Sequence, residues 1–373
     1  MKTASFENAT RKLLSAAGIQ IDGNNPWDIR VSNEEFYPRV LTQGSLGLGE
    51  SYMEGWWDCE KLDEFFYRVL NAGIEKQVRR NRALLRDVFL ARIFNRQSRK
   101  RAFRIGEKHY DLGNDLFRIM LDRRMVYSCA YWHGAANLDQ AQENKLDLIC
   151  RKLGLQPGMR MLDIGCGWGS LVKYAAEKYR VEAVGITVSR EQAELSRELC
   201  RGLPVEIRLQ DYREVNDKFD RIVSVGMIEH VGYKNYRTYM ETVYRCLQDS
   251  GLFLLHTIGG NRSVTSVEPW INRYIFPDGM LPSIKQLAGA IEGLFVMEDW
   301  HNFSADYDKT LMAWYGNLEK DRDQLPEKYD TRFQRMWDYY LLSCAGAFRS
   351  RQNQLWQIVL SPGGVAGGYQ PIR

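Results

Sequence analysis

Between residues 140 and 260 the hydrophobic positions switch repeatedly between two spacings. Short apolar-rich runs at Arg160–Ile164, 181–186, Val205–Leu209, 220–225 and 252–257 read as strands. Between them, 142–153, Ser170–Tyr179, Arg190–Leu199 and 236–247 carry apolar residues three and four apart and read as helices. Strands and helices in alternation need crossover connections, so the pattern predicts an α/β fold with a mostly parallel sheet. In such a sheet, ligands lie beyond the carboxyl ends of the strands, where the strand order reverses. Those ends are 163–169, 187–189, 210–212, 226–230 and 256–259, and polar residues gather there.

The first hundred residues follow another pattern. Helical spacing at 8–17 and 62–70, the latter with Leu62, Phe65, Phe66 and Val69 on one face, predicts a small, mostly helical module. Between them, the stretch from Gly44 to Asp58 mixes glycine with aromatic residues, and its glycines are expected to form turns. Residues 79–108 then crowd cations such as Arg79, Arg80, Arg82 and Arg86 around apolar Leu84, Leu85, Val88 and Phe89. This basic amphipathic spacing suits a surface touching anionic phospholipid headgroups, where each nearby cation contributes about 1 kcal/mol. A solvated helix face has the same spacing. No recognised nucleic-acid-binding module accompanies the charges, which argues against nucleic acid as a partner. The tail from Ser361 to Tyr369, rich in glycine, predicts a frayed end.

Composition narrows the picture without redirecting it. A length of 373 residues exceeds the roughly 100–200 of a typical domain and predicts two, divided near residue 100 into 1–100 and 101–373. Hydrophobic residues at 45% and charged residues at 26% are globular values, and no apolar run reaches the roughly 18 residues of a membrane span. The opening MKTASFENAT lacks a secretory apolar stretch, so a soluble, cytoplasmic protein is expected. Seven cysteines without C-x-x-C spacing argue against a disulfide framework and a zinc site, and no metal is expected.

The richest local pattern is Met161-Leu-Asp-Ile-Gly-Cys-Gly-Trp-Gly-Ser170, a strand that runs through Asp163 into a turn with Gly165, Gly167 and Gly169 and then into a helix. Glycines there leave no side chain between backbone and ligand, and main-chain N–H groups and the helix N-terminus are expected to face it. A dinucleotide turn reads G-x-G-x-x-G with an acid about 20 residues on. Here the spacing is G-x-G-x-G, directly after an acid. That arrangement resembles the first motif of S-adenosylmethionine-dependent methyltransferases, implying a Rossmann-like class I sheet with helices on both faces and a small helical amino-terminal domain. A purely structural turn and a NAD-type site are the alternatives. Gln210, Asp211 and Tyr212, after the third strand, can serve the adenine through a carboxylate and a covering ring; Asp211 as a turn cap is the plainer alternative. After the second strand, Thr187, Ser189 and Gln192 are the ribose candidates, and a helix N-cap accounts equally well for Ser189.

Further segments resemble the cyclopropane-fatty-acyl-phospholipid synthases along nearly the whole chain. They are Gly47-Leu-Gly-Glu-Ser-Tyr-Met-Glu-Gly-Trp-Trp57, His109-Tyr-Asp-Leu-Gly-Asn-Asp115, Tyr127-Ser-Cys-Ala-Tyr-Trp132, Gly226-Met-Ile-Glu-His-Val231, Leu255-His-Thr-Ile-Gly259 and Trp300-His-Asn-Phe-Ser-Ala-Asp-Tyr-Asp308. The resemblance implies transfer of a methyl carbon to a cis double bond of an acyl chain, followed by loss of a proton to a bound bicarbonate. It implies a bicarbonate pocket formed by Cys129, Glu229, His256, Ile258 and Tyr307, through backbone groups at Cys129 and Ile258 and side chains elsewhere, with Glu229 orienting the proton of bicarbonate. It places Tyr127 and Ser128, with His109 and Tyr110, as a lid on the methionine end of the cofactor. A bilayer containing unsaturated phospholipid becomes the expected partner, reached from the inner face of the membrane by 1–100 and the basic segment, and a homodimer is left open. Aromatic residues such as Trp132, Trp300 and Phe303 can line an acyl tunnel and steady a carbocation by roughly 0.5–2 kcal/mol per contact. Each residue has a plain alternative: Glu229 in the first turn of the next helix, His256 as a bonded core histidine, Cys129 as an inert thiol and Tyr307 as packing.

Overall fold

The computed structural model describes residues 2–74, 113–265 and 268–373. The chain forms two compact units that interleave in sequence: one gathers Met1–Met120, Glu268–Pro277 and Leu311–Gln352, the other Leu121–Val267, Asp278–Thr310 and Asn353–Arg373. The boundary expected near residue 100, the basic segment 79–108 and the lid residues His109 and Tyr110 all lie outside the described residues. Periodicity gave no sign that 268–277 and 311–352 pack with the amino-terminal residues.

The first unit holds the helices Phe36–Gln43, Ser45–Met53, Leu62–Asn71 and Thr331–Arg349, with a short antiparallel ribbon of β1 (Ile29–Val31) and β2 (Trp57–Cys59). Its core is aromatic. Trp57 is fully buried, with the rings of Phe36, Tyr52 and Phe65 centred between 5.1 and 6.0 Å away. The glycines of this region behave differently from expectation, because Gly47 and Gly49 lie within the helix Ser45–Met53. Close approach explains them: a Cβ on Gly47 would stand 2.6 Å from the Arg39 carbonyl oxygen, and one on Gly49 would stand 2.3 Å from the Trp270 ring. Gly44 and Gly55, at φ 59° and 71°, bend the chain at either side.

The second unit is a seven-stranded sheet. Its strands are β3 (Arg160–Ile164), β4 (Glu182–Thr187), β5 (Val205–Leu209), β6 (Phe219–Val225), β7 (Leu247–Gly260), β8 (Val296–Asn302) and β9 (Asn353–Ser361), in spatial order β5-β4-β3-β6-β7-β9-β8. The first five are parallel, and β9 and β8 are antiparallel to their neighbours. Alternation along β3 sends Leu162 and Ile164 to one face, with Tyr239, Met240 and Leu287, and Met161 to the other, with Ile149, Val172 and Ala193. The sheet therefore has helices on both faces, as expected. Helix starts are fixed by side-chain caps: Asn137 accepts from the Gln140 N–H, and Ser283 forms a capping box with Gln286. No helix among the described residues is long and apolar enough to cross a membrane.

The carboxyl-terminal tail is anchored, against the expectation of fraying. Val365 N–H donates to Glu298, Tyr369 OH to the Lys152 carbonyl, and Arg373 makes a bidentate pair with Asp299 at 2.6 and 2.7 Å. Polar partners hold a tail that has few apolar residues of its own.

Gly49→Ala is expected to destabilise the protein by about 1–3 kcal/mol, because the new methyl overlaps the Trp270 ring. Urea unfolding checks this, and an unchanged midpoint would mean that the ring steps aside without cost.

Candidate active site

The strand order turns at β3, whose successors β4 and β5 lie on one side while β6 and β7 lie on the other. The crevice past the ends of β3 and β6 is therefore the switch point of the sheet. The glycine turn lies on one side of it, with Gly165, Gly167 and Gly169 at φ 83°, 55° and 80°. The N–H groups of Gly165 and Cys166 donate to the Ile186 carbonyl, and that of Gly169 donates to the Cys166 carbonyl. These three donors close the turn. What the turn offers is space, since a Cβ on Gly167 would meet nothing within 4 Å. Asp163, buried in β3 between Gly185 and Val223, leaves its Oδ1 without a partner. Burial pushes its pKa up to about 7, against the pull of Lys145.

Helix Leu138–Lys152 presents three buried polar side chains, Gln142, Lys145 and Lys152, toward this region of the unit. Gln142 donates to the Val126 and Ser128 carbonyls, at 3.2 and 2.9 Å, and Lys145 Nζ lies 3.0 Å from Ser128 Oγ. These bonds fix the extended segment that carries half-buried Tyr127 and buried Ser128. The same segment is pinned further on by the start of helix Ala305–Lys320. Thr310 Oγ1 accepts from Ala130 N–H and from the Trp132 indole, while Asp306 accepts from Trp132 N–H. Cys129, held between these anchors, is fully buried and its thiol pKa is raised well above the ordinary value by burial, so it is no nucleophile. Tyr307 is buried on the same helix, between Asp306 and Thr310. Gln142, Lys145, Asp306 and Thr310 were missed by sequence reasoning. Polar residues at helical spacing with the apolar ones of 142–153 were the available signal.

Glu229 and His256 occupy the other side of the crevice. Glu229 sits in a short 3-10 turn, Ile228–His230, after β6 and ahead of the next helix, Tyr236–Cys246. Its Oε1 accepts the Ile258 N–H at 2.8 Å, and its buried Oε2 has no partner. The Ile258 N–H is thus engaged by Glu229. Burial raises the Glu229 pKa to about 7, partly offset by that N–H. His256 pairs with Val225 across β6 and β7; its Nδ1 lies 3.3 Å from Gln357 Nε2, and its buried Nε2 has no partner. Burial, with Lys145 and Lys152 adding to it, drives its pKa well below the usual value, so the ring is neutral. Phe303 packs edge-on against it at 5.9 Å and against Tyr131 at 5.3 Å.

The ends of β4 and β5 are locally satisfied. Thr187 Oγ1 lies 3.0 Å from Gln192 Oε1, and Ser189 caps helix Arg190–Leu199 by accepting the Gln192 N–H. Gln210 N–H donates to the Thr187 carbonyl, which ties the two strand ends together. Asp211 caps a 3-10 turn and pairs with Arg213 at 3.1 Å. Tyr212 is buried edge-on against Tyr239 at 5.0 Å, so its ring serves the core. Gln210 and Asp211 remain half-exposed at the strand end.

Known proteins share both the sequence and the fold. The family described as mycolic acid cyclopropane synthetase matches residues 97–358. A cyclopropane-fatty-acyl-phospholipid synthase of Escherichia coli (strain K12) is 58% identical over 362 residues, covering 97% of this chain and 94% of that protein. Among solved structures, a cyclopropane synthase from Mycobacterium tuberculosis superposes with a TM-score of 0.62 at 31% identity, covering 68% of this chain and 95% of that one. A mycolic acid cyclopropane synthase complexed with SAH and CTAB superposes with a TM-score of 0.61 at 33% identity, covering 68% and 95%. The chain belongs to the cyclopropane-fatty-acyl-phospholipid synthases, S-adenosylmethionine-dependent enzymes of the methyltransferase superfamily.

Proposed function

We propose that the enzyme transfers the methyl carbon of S-adenosylmethionine to the cis double bond of an unsaturated phospholipid acyl chain, and that a pocket around Glu229 and His256 holds the bicarbonate needed to close the ring. The observation that carries this reading is a pair of buried polar atoms without partners among the described residues, Glu229 Oε2 in the turn that follows β6 and His256 Nε2 on β7, opposite the last residue of β6. Orphaned buried groups cost about 1–3 kcal/mol each, and a small oxyanion would satisfy both. Its hydroxyl can donate to Glu229 Oε2, while a protonated Nε2 donates to one of its oxygens. Such an anion supplies the base that ring closure requires and ordinary methyl transfer does not.

The residues on the other side serve the donor. The alkene π pair attacks the methyl carbon, the carbon–sulfur bond breaks, and its electrons return to sulfur to leave S-adenosylhomocysteine. Loss of a methyl proton frees the C–H pair to form the last carbon–carbon bond. Asp163 Oδ1, buried and without a partner, suits the ammonium at the methionine end, beside the glycine turn. The Tyr127–Ser128 segment, fixed by Gln142 and Lys145, suits a cover for the same end. Thr187, Ser189 and Gln192 would line the ribose, and Gln210 and Asp211 the adenine. Phe303, which packs on His256, and Tyr131, which packs on Phe303, are aromatic rings that would favour a developing cation. The anion would rest against Cys129 and Tyr307 as well.

Lipids extracted from cells expressing the protein are expected to gain one CH2 with loss of the double bond. An unchanged double bond, or an open-chain methyl branch, would overturn ring formation. Glu229→Gln and His256→Ala are expected to lower turnover by roughly 100-fold or more while S-adenosylhomocysteine affinity stays within about threefold. Parallel loss of cofactor affinity, read by calorimetry, would count against the assignment of these residues to the anion.

Asp163 adds a pH dependence. Only its ionised form attracts an ammonium, and its pKa in the folded protein is about 7, so S-adenosylhomocysteine affinity is expected to weaken as the pH falls through 7. Asp163→Asn should bind more weakly and remove that dependence, as calorimetry between pH 6 and pH 8 would show (roughly one unit on each side of the folded pKa).

We further propose peripheral docking on the cytoplasmic face of the membrane through the basic segment 79–108, on the strength of its charge and spacing. Reversing Arg79, Arg80, Arg82 and Arg86 to Glu is expected to abolish co-sedimentation with anionic phosphatidylglycerol vesicles at low salt. Undiminished co-sedimentation would remove the segment from that role.

A further inference from the structure

Three strands place polar side chains in one row beneath the anion pocket. His256 of β7 is the register partner of Gln357 of β9, and Gln357 is in turn the partner of His301 of β8. Gln357 is fully buried, and its one side-chain contact at hydrogen-bond distance runs from Nε2 to His256 Nδ1, 3.3 Å away. The position is costly for an amide, because its Oε1 is buried without a donor. An apolar residue would fill the same place between Trp356 and Ile358 with no such cost.

The tautomer of His256 supplies a reason for it. The ring is neutral, so a single proton occupies either Nδ1 or Nε2, and the partner of one nitrogen decides the state of the other. Nε2 is the nitrogen that has no protein partner. A lone pair there would repel an anion, and an N–H would hold it. We propose that Gln357 is a positioning residue: by donating its Nε2–H to His256 Nδ1, it keeps the ring proton on Nε2, where it faces the anion. This inference rests on the bicarbonate reading of the pocket. The outer end of the row is braced independently, since His301 Nδ1 lies 3.1 Å from buried Lys152 Nζ, and Lys152 pairs with Asp299 at 3.5 Å.

The test uses the full-length enzyme labelled with 15N-histidine, whose five histidines make the ring nitrogens countable by NMR. The wild type is expected to show the His256 proton on Nε2 before bicarbonate is added, and that resonance should shift on titration with bicarbonate. Gln357→Met, close in volume and without a donor, should raise the bicarbonate concentration for half-maximal turnover by roughly tenfold or more. Its turnover at saturating bicarbonate and its S-adenosylhomocysteine affinity should change by less than about threefold. Gln357→Glu, which accepts at Nδ1, should move the proton to Nδ1 or charge the ring.

A wild-type proton on Nδ1 overturns the proposal even if no variant folds. So does a Gln357→Met enzyme with an unaltered bicarbonate requirement, or one that loses only its maximal turnover. A proton on Nε2 together with turnover and resonances indifferent to bicarbonate overturns the anion reading itself, and the purpose assigned to Gln357 falls with it.

Discussion

The site depends on keeping ionisable groups dry. Asp163 and His256 lie within strands β3 and β7 and Glu229 in the turn after β6; each is buried, and each leaves one polar atom without a partner among the described residues. Burial pushes both carboxyl pKa values up to about 7 and the imidazole pKa down. Groups in this state cost folding free energy, at about 1–3 kcal/mol per orphaned atom. The packed sheet and the two core clusters on its faces absorb that cost, so the parallel strands must be buried on both sides for the site to exist. Stability is offset toward the carboxyl ends of β3, β6 and β7, where the proposed ligand sites lie.

Much of this was legible in the chain because periodicity and burial coincide in the parallel half of the sheet. Strands Arg160–Ile164 and Val205–Leu209 and helices Ser170–Tyr179 and Arg190–Leu199 were legible to the residue, since short apolar-rich strands alternate there with helical spacing and the glycine turn, Ser189 and Pro204 mark boundaries. The antiparallel edge was not legible. The strand β8 reads Val-Met-Glu-Asp-Trp-His-Asn, with both ends exposed, and its polar residues make sense only once Lys152 and Arg373 are known to meet Asp299. The tail was misread for the same reason, because ion pairs over long sequence separations carry no periodic signal. Gly47 and Gly49 were misread because close packing and a turn both select glycine, and only the neighbouring ring or carbonyl distinguishes them. At the site, Glu229, His256, Cys129 and Tyr307 came from resemblance, and their supports Gln142, Lys145, Thr310 and Gln357 required the fold.

The supports have a common logic. Each anchors a short irregular segment or a ring to a regular element through hydrogen bonds that a small displacement would break. Gln142 and Lys145 reach from a helix to 126–128, and Thr310 and Asp306 reach from another to 130–132. The two helices therefore fix the backbone on both sides of Cys129, whose thiol lies 3.2 Å from the Ala130 carbonyl oxygen and 4.0 Å from Thr310 Oγ1.

Ring closure asks for two sites whose separation is fixed, one for the carbon donor and one for the base. A methyltransferase acting on nitrogen or oxygen needs only the first, because its acceptor loses a proton readily to water or to a simple carboxylate. In the reading proposed above, the second would be built from the same register that forms the first. Met161 to Asp163 of β3 pair with Arg221 to Val223 of β6, and Val225 of β6 pairs with His256 of β7. The glycine turn and His256 are thus separated by one intervening strand, β6, and the loop leaving that strand carries Glu229. A slip of one residue in either pairing would turn His256 or Asp163 to the opposite face of the sheet. The distance between donor and base would therefore follow chiefly from strand spacing and register, the least deformable features of the fold.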